Sequence, residues 1–266
     1  MFGFLIKKNF CDGWDNLLSV ILTNVIFLFL GIGLVFLNAF AYLSESQLFM
    51  ILAFVIGIIL ISIIALAYGE SAAKIANFEG IRYADFFKAI PSVFKDALFL
   101  GLLTSAVLII STFSIRYYWS LNTMIGSCLA IFIFWIDIFY ILSIQWFVPL
   151  RSIMHNNFKK CLKKCFIIFF DNTGFSVLIG IYDLVLIAFS VLFIGFFPSI
   201  AGIIIANTNA LRLRLYKYDY LEEHPELKTK KERRQIPWEE LIYEDRETLG
   251  PRKLKSFIFP WKDQEN

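Results

Sequence analysis

The stretch that decides the fold is residues 46–69, SQLFMILAFVIGIILISIIALAYG, which contains no Asp, Glu, Lys or Arg. A helix rises about 1.5 Å per residue, so about 20 apolar residues cross the roughly 30 Å hydrocarbon core of a bilayer. An uncharged run of this length leaves too little polar surface for a soluble helix. The stretch therefore predicts a transmembrane helix near residues 48–69.

Similar runs lie on both sides of this segment, and each ends where charged residues return. Residues 16–44 and 97–115 carry no charge, and a further run is interrupted only by Asp137. The apolar stretch 175–216 is too long for one span and is broken at Gly195 to Pro198, because Pro cannot continue a helix. The sequence predicts an all-α, polytopic membrane protein with six transmembrane helices. These lie near residues 17–38, 48–69, 97–115 and 124–147, and on either side of the 195–198 break, the sixth being the shorter.

The composition agrees with a membrane protein and excludes other classes. Hydrophobic residues make up 58% of the chain and charged residues 18%, against about 45–50% and 25% in soluble domains. Thirty Phe residues exceed what one soluble core would bury, so the surplus apolar surface must face lipid. The net charge of +3 is too small to imply an anionic partner, and no nucleic-acid partner is predicted.

Basic residues are distributed unevenly across the predicted topology. With six spans, 24 of the 25 Lys and Arg residues fall on one side and Arg116 alone on the other. Lys and Arg collect on the cytoplasmic side of membrane proteins. The distribution predicts a multi-pass protein of the bacterial cytoplasmic (inner) membrane with both termini cytoplasmic. It divides the chain into a six-helix transmembrane domain, residues 1–217, and a charged cytoplasmic C-terminal tail, residues 218–266.

Two of the predicted cytoplasmic connections are longer than a turn requires. Residues 71–78 and 84–90 are predicted as short helices, and residues 156–166 form a basic amphipathic stretch. Lys residues near anionic headgroups and aromatic rings at the acyl boundary are typical of interfacial elbow helices, which makes the lipid bilayer the first predicted partner. The alternative is a docking elbow for a cytoplasmic protein. That candidate partner-docking loop consists of Glu70, Gly80, Phe86, Phe87, Ile90 and Pro91.

Asp137 and Asp183 are the most unusual residues, because a carboxylate within hydrocarbon is costly and normally faces the bundle interior. Both lie roughly 12–15 Å from the cytoplasmic ends of their predicted helices, and Asn24 and Asn207 fall at nearly the same depth. We expect these four residues to form an intramembrane polar layer, with each Asp within reach of the other, of Asn24 or of Asn207. Two roles are open for it: bonding between helices, or a substrate or proton site.

Residues suited to catalysis, metal binding or cofactor binding are scarce. Cys161 and Cys165 lie one helical turn apart, but His155 is the only further ligand nearby, which is too few for a zinc site. The chain contains no Gly-x-Ser-x-Gly motif and no Gly-rich phosphate loop. The sequence therefore predicts no enzyme activity, no metal and no cofactor.

Several short motifs occur between roughly residues 10 and 220: Trp14 with Asn16, Phe86-Phe87-Lys88, Phe158-Lys159-Lys160, Phe197-Pro198, and Asn207 to Leu213 followed by Leu215-Tyr216. Together they resemble the YesL-like family of bacterial multi-pass membrane proteins. The resemblance implies a location in the membrane and an association with carbohydrate uptake, because members often occur beside genes for carbohydrate uptake and breakdown. It implies no catalytic or binding residue.

A second resemblance is to the permease subunits of ABC-type sugar transporters, which couple to their ATPase through a cytoplasmic loop. This chain has Glu70, Ala72, Ala73, Gly80, Ile90 and Pro91 on the predicted cytoplasmic side, although Ser71 separates Glu70 from Ala72 and the later spacings differ. We therefore expect a non-catalytic accessory membrane protein, with a permease subunit as the alternative. Other subunits of a transport system are its expected partners.

The tail has a patterned part. Trp238, Ile242 and Tyr243 are spaced to form one side of a short helix. The aromatic segment with Phe257 and Trp261 follows a basic cluster and is predicted to dock against the cytoplasmic membrane face or against the two elbow loops. The alternative is a solvated, disordered tail.

Overall fold

The computed structural model describes residues 1–227 and 235–251, and within these ranges the chain is helical and contains no strand. Five segments are long and apolar enough to cross a membrane: α2, α3, α4, the α5–α6 segment Met124–Met154, and α8. They suggest a membrane protein. The helices are α1 (Phe2–Asp15), α2 (Leu17–Leu43), α3 (Gln47–Ala76), α4 (Tyr83–Ser120), α5 (Met124–Ile144), α6 (Phe147–Met154), α7 (Phe158–Asp171), α8 (Thr173–Leu192), α9 (Ser199–Glu223), α10 (Trp238–Leu241) and α11 (Tyr243–Leu249).

The first elbow prediction is wrong, because the segments 71–78 and 84–90 are not separate helices. The first is the end of α3 and the second is the start of α4, which runs unbroken from Tyr83 through Pro91 to Ser120. A turn at residues 77–82, containing Gly80, joins them. Charged residues do not end these helices because they find partners across the turn, such as Lys74 with Asp85 at 3.2 Å.

The second predicted elbow is longer than expected and is a helix of its own. It is α7, Phe158–Asp171, which buries Cys161, Cys165, Ile168 and Phe169 on one face. Its lysines Lys159, Lys160 and Lys163 lie exposed on the other face. The amphipathic character predicted for this stretch therefore extends over 14 residues.

The long helices α3 and α4 pack closely along their length. At Gly101 of α4, an added Cβ would lie 2.7 Å from the Cα of Ile59 on α3. No larger residue fits there without moving one helix, so Gly101 sets the closest approach of the two helices.

Helix α9 is the central element, although it is not one of the five apolar segments. It contacts α1, α2, α3, α6 and α8. Eleven of its 25 residues are buried, including Asn207, Thr208, Asn209 and Arg214. A helix enclosed by other helices can carry polar residues, because its neighbours, not lipid, satisfy them. The helix after the 195–198 break is thus longer than predicted.

The C-terminal part that the structure describes packs onto the body of the protein. Helix α9 continues past residue 218, the predicted start of the tail, to Glu223. Ile242 is fully buried and Leu249 is 5% exposed, whereas Tyr243 lies outside at 57%. The predicted aromatic segment, including Phe257 and Trp261, lies outside the described residues.

Candidate functional site

Asp183 and Asn207 form a direct contact between α8 and α9. The Asn207 side-chain Nδ2 donates a hydrogen bond to Asp183 Oδ2 at 3.0 Å. The remaining oxygens of the pair, Asp183 Oδ1 and Asn207 Oδ1, are both buried and have no hydrogen-bond partner. The structure therefore brings together one of the two acids of the predicted polar layer with one of its two amides.

Asp137 makes a different contact, with α4. Its Oδ1 accepts a hydrogen bond of 2.6 Å from the hydroxyl of Ser111. One helical turn farther along α5 towards α6, the hydroxyls of Tyr140 and Thr104 lie 2.9 Å apart across the same pair of helices. These two contacts bond α4 to α5.

Asn24 of α2 binds the turn between α8 and α9. Its Nδ2 donates to the carbonyls of Phe196 and Pro198 at 2.9 and 2.8 Å, and its Oδ1 accepts from the amide of Ala201 at 2.9 Å. The first amides of a helix lack partners within the helix, and Pro198, which precedes α9, has no side-chain acceptor. Asn24 therefore caps α9 from a neighbouring helix.

The four residues of the predicted polar layer thus belong to three hydrogen-bonded sets. Asp183 reaches Asn207, as the sequence predicts for one pairing. Asp137 bonds to Ser111, and Asn24 bonds to backbone atoms. Sequence depth alone placed the four at one level, but it could not specify which faces of the helices meet.

The residues of the candidate partner-docking loop have mixed surroundings. Glu70 points into the protein, where its carboxylate lies 3.4 Å from Arg151 and 3.8 Å from His155. Phe86 is 2% exposed, whereas Phe87 is 54% exposed and Pro91 is also exposed.

Gly80, Phe87 and Pro91 are the exposed residues of this loop, and the last two lie on one face of α4. Phe87, Pro91 and Phe94 recur at spacings of four and three residues, which places them on one side of the helix, with Lys88 and Lys95 beside them. We call the set Phe87, Lys88, Pro91, Phe94 and Lys95 the α4 face. It shares Phe87 and Pro91 with the predicted loop.

Arg151 is the centre of an ionic cluster that joins three helices. It binds Asp96 and Ser92 of α4 and Glu70 of α3 from its place on α6. Its side chain is 13% exposed, and those of Glu70 and Asp96 are 22% and 18% exposed. From the sequence, Arg151 was counted only among the basic residues that indicate the cytoplasmic side of the membrane.

A second polar cluster, which sequence reasoning missed, joins the N-terminal helix to α9. Lys8 and Asp12 form an ion pair at 3.0 Å with side chains only 3% and 6% exposed. Asn209 donates to Asp12 at 2.7 Å and to Asn9 at 2.8 Å. The Lys8 ammonium also lies 3.6 Å from the centre of the Phe78 ring. We call Lys8, Asn9, Asp12 and Asn209 the α1–α9 cluster.

The electrostatics of this cluster are dominated by burial. Burial lowers the pKa of Lys8 and raises the pKa of Asp12, while the attraction between the two charges opposes both shifts. The signal in the sequence was the spacing of Lys8 and Asp12, which lie four residues apart on one helix.

Two arginines of α9 bind the segments around them. Arg212 forms an ion pair with Asp245 of α11 at 2.9 Å and also bonds to the carbonyl of Ala76. Arg214 lies 3.7 Å above the ring of Phe175 and donates to Asn172 at 3.3 Å. Together they attach α11, α3 and α8 to the central helix.

The two neighbouring cysteines of α7 are both buried. Burial raises the pKa of Cys161 to about 11 and also raises that of Cys165. Burial therefore favours the thiol over the thiolate, which is the form that binds metal ions. In the part of the chain that the structure describes, no group of three His, Cys, Asp or Glu residues is arranged to hold a metal.

Comparisons with protein-family models, curated proteins and solved structures found no match for this chain.

Proposed function

We propose that the chain is a non-catalytic accessory protein of the bacterial cytoplasmic membrane, associated with carbohydrate uptake. The observation that carries the proposal is the use of its polar side chains. Asp183, Asp137 and Asn24 bond to neighbouring helices or to the adjoining turn. The groups that catalysis or transport would use thus hold the bundle together. The link to carbohydrate uptake rests on the resemblance to the YesL-like family.

The proposed topology has six spans, with α9 as the sixth, and both termini in the cytoplasm. The enclosed position of α9 supports six spans, because a helix surrounded by five others does not need an apolar surface. If α9 did not span, Arg212, Arg214 and Lys217 would lie on the side opposite the other basic clusters. The positive-inside rule therefore favours six spans.

Cysteine labelling from outside the cell is expected to reach two positions and to miss two others. Ser44→Cys and Asn122→Cys should react, whereas Ala84→Cys and Lys160→Cys should not, because the reagent does not cross the membrane. All four positions are exposed in the structure, so burial does not explain a lack of reaction. The measurement uses a background without the native cysteines, and permeabilised cells provide the control. External labelling at position 84 or 160 contradicts the six-span topology.

The α4 face is the proposed contact for a cytoplasmic partner. Phe87 and Phe94 are 54% and 50% exposed beside Lys88 and Lys95. Aromatic residues are enriched at protein interfaces, and aromatic rings bordered by Lys are typical of interfacial helices. The same face is the observation that favours the alternative, an ABC-type permease subunit, since it lies on the loop that resembles the ATPase-coupling segment.

Co-purification separates these two functions. As an accessory protein, the chain is expected to purify from mild detergent with a transport component but without an ATPase, and Phe87→Ala with Phe94→Ala should lower the recovered partner several-fold. Phe113→Ala is the matched control, because Phe113 is 59% exposed near the other end of the same helix. Stoichiometric recovery of an ATPase would favour the permease. If the Phe87→Ala, Phe94→Ala variant recovers as much partner as Phe113→Ala, the α4 face is not the contact for the partner.

A further inference from the structure

The contact between Asp183 and Asn207 is chemically incomplete as it stands. One hydrogen bond joins them, from Asn207 Nδ2 to Asp183 Oδ2 at 3.0 Å. Asp183 Oδ1 and Asn207 Oδ1 are buried and have no donor. Buried polar atoms are nearly always hydrogen-bonded, so two unpartnered acceptors in one contacting pair call for an explanation.

A single proton completes this contact. An ionised carboxylate and an amide oxygen are both acceptors, so neither can satisfy the other. A proton on Asp183 Oδ1 turns that oxygen into a donor, and the unpaired acceptor of the same contact is Asn207 Oδ1. A carboxylic acid and a primary amide are complementary in this way: the amide N–H binds one carboxyl oxygen while the carboxyl O–H binds the amide oxygen.

We propose that Asp183 and Asn207 form a proton-binding site in which Asp183 carries a proton on Oδ1 and donates it in a hydrogen bond to Asn207 Oδ1. The ligand of the site is the proton. No bond other than O–H forms, and the proton comes from solvent. Binding joins α8 to α9 through two hydrogen bonds in place of one.

The charged groups near the site have other partners. Among the residues that the structure describes, none pairs with an Asp183 carboxylate to neutralise its charge. Lys8 pairs with Asp12, and Arg214 binds Asn172. An isolated carboxylate in this setting would carry the full cost of leaving water. The titratable and charged residues on the elements packed around it include Tyr182 on α8 itself; Lys8 and Asp12 on α1; Arg212 and Arg214 on α9; Asp137 and Tyr140 on α5; and Asp171 with Cys161 and Cys165 on α7.

Asp137 provides a contrast within the same chain. Its partner is the hydroxyl of Ser111, whose one hydrogen can go to Asp137 Oδ1 or to the carbonyl of Val107. Asp137, unlike Asp183, has no buried oxygen without a hydrogen-bond partner. Asp137→Asn is therefore the matched control for Asp183→Asn.

The experiment measures the unfolding equilibrium of the purified full chain in detergent micelles between pH 5 and pH 9. An unfolded aspartate is ionised in this range, so a proton held only by the folded protein is released on unfolding. The equilibrium constant for unfolding then rises with pH, by up to about tenfold per pH unit for one proton. We expect this dependence in the wild-type protein and in Asp137→Asn. We expect it to be weaker by one proton in Asp183→Asn, whose amide retains both hydrogen bonds without a titrating proton.

The proposal is overturned if Asp183→Asn shows the same pH dependence as the wild-type protein. A second measurement does not depend on the variant's stability. Infrared spectra at neutral pH should contain a band for a protonated carboxylic acid that shifts in heavy water and persists in Asp137→Asn. Absence of that band from the wild-type spectrum, or its presence in a folded Asp183→Asn protein, also contradicts the site.

Discussion

Replacing Lys8 with methionine is expected to lower the free energy of unfolding by about 3–5 kcal/mol, the loss typical when one partner of a buried ion pair is removed. Methionine fills a similar volume, so the effect is one of charge. Asp12 would be left 6% exposed, with Asn209 as its remaining donor. The ammonium contact with Phe78 would be lost as well. Unfolding of the purified protein in mixed detergent micelles measures the change.

The control is the double variant Lys8→Met with Asp12→Leu. Replacing both members of a buried pair by apolar residues is often neutral or stabilising. We therefore expect the double variant to recover most of the stability that Lys8→Met loses. If the double variant is as unstable as the sum of the two single variants, packing of the long side chains, not charge pairing, explains the importance of Lys8.

Arg151→Ala is expected to destabilise the protein by about 3 kcal/mol, the low end of the loss for a buried pair, because the Arg151 cluster is partly exposed. The change leaves the carboxylates of Glu70 and Asp96 facing each other without the cation between them. It also removes the polar contact that joins α3, α4 and α6. The same unfolding measurement applies.

Arg116→Ala serves as the control for Arg151→Ala. Arg116 is an exposed residue of α4, and exposed substitutions usually change stability by less than about 0.5 kcal/mol. Equal losses in the two variants would show that general loss of positive charge, not the Arg151 cluster, is responsible.

The apolar spans were predictable from sequence because a lipid-facing helix must be apolar over its whole length. The ends of these helices were not predictable in the same way, because each predicted helix was ended where charged residues begin. Helix α3 continues through Glu70 and Lys74 because both side chains have ion-pair partners. Glu70 pairs with Arg151, and Lys74 pairs with Asp85. The central helix α9 was predictable only through the Pro198 break and the distribution of basic residues. Its polar residues make α9 less apolar than the five candidate spans, and the same residues bind it to the neighbouring helices.

The site residues were less predictable for the same reason. Depth along a helix follows from counting residues, whereas the face presented depends on tertiary packing. Asp183 and Asn207 lie 24 residues apart on consecutive helices and do meet. Asn9 and Asn209 are separated by 200 residues, and no local pattern indicates that they are partners.

The contacts of α1 with α9 also constrain the order in which the protein can be completed. Helix α1 is synthesised well before α9 and α11, which carry Asn209 and the Arg212–Asp245 pair. Until then the charged side of α1 has to stay hydrated at the membrane surface, because Lys8 and Asp12 have no burial site. A chain that stops before α9 therefore keeps the polar side of α1 uncovered.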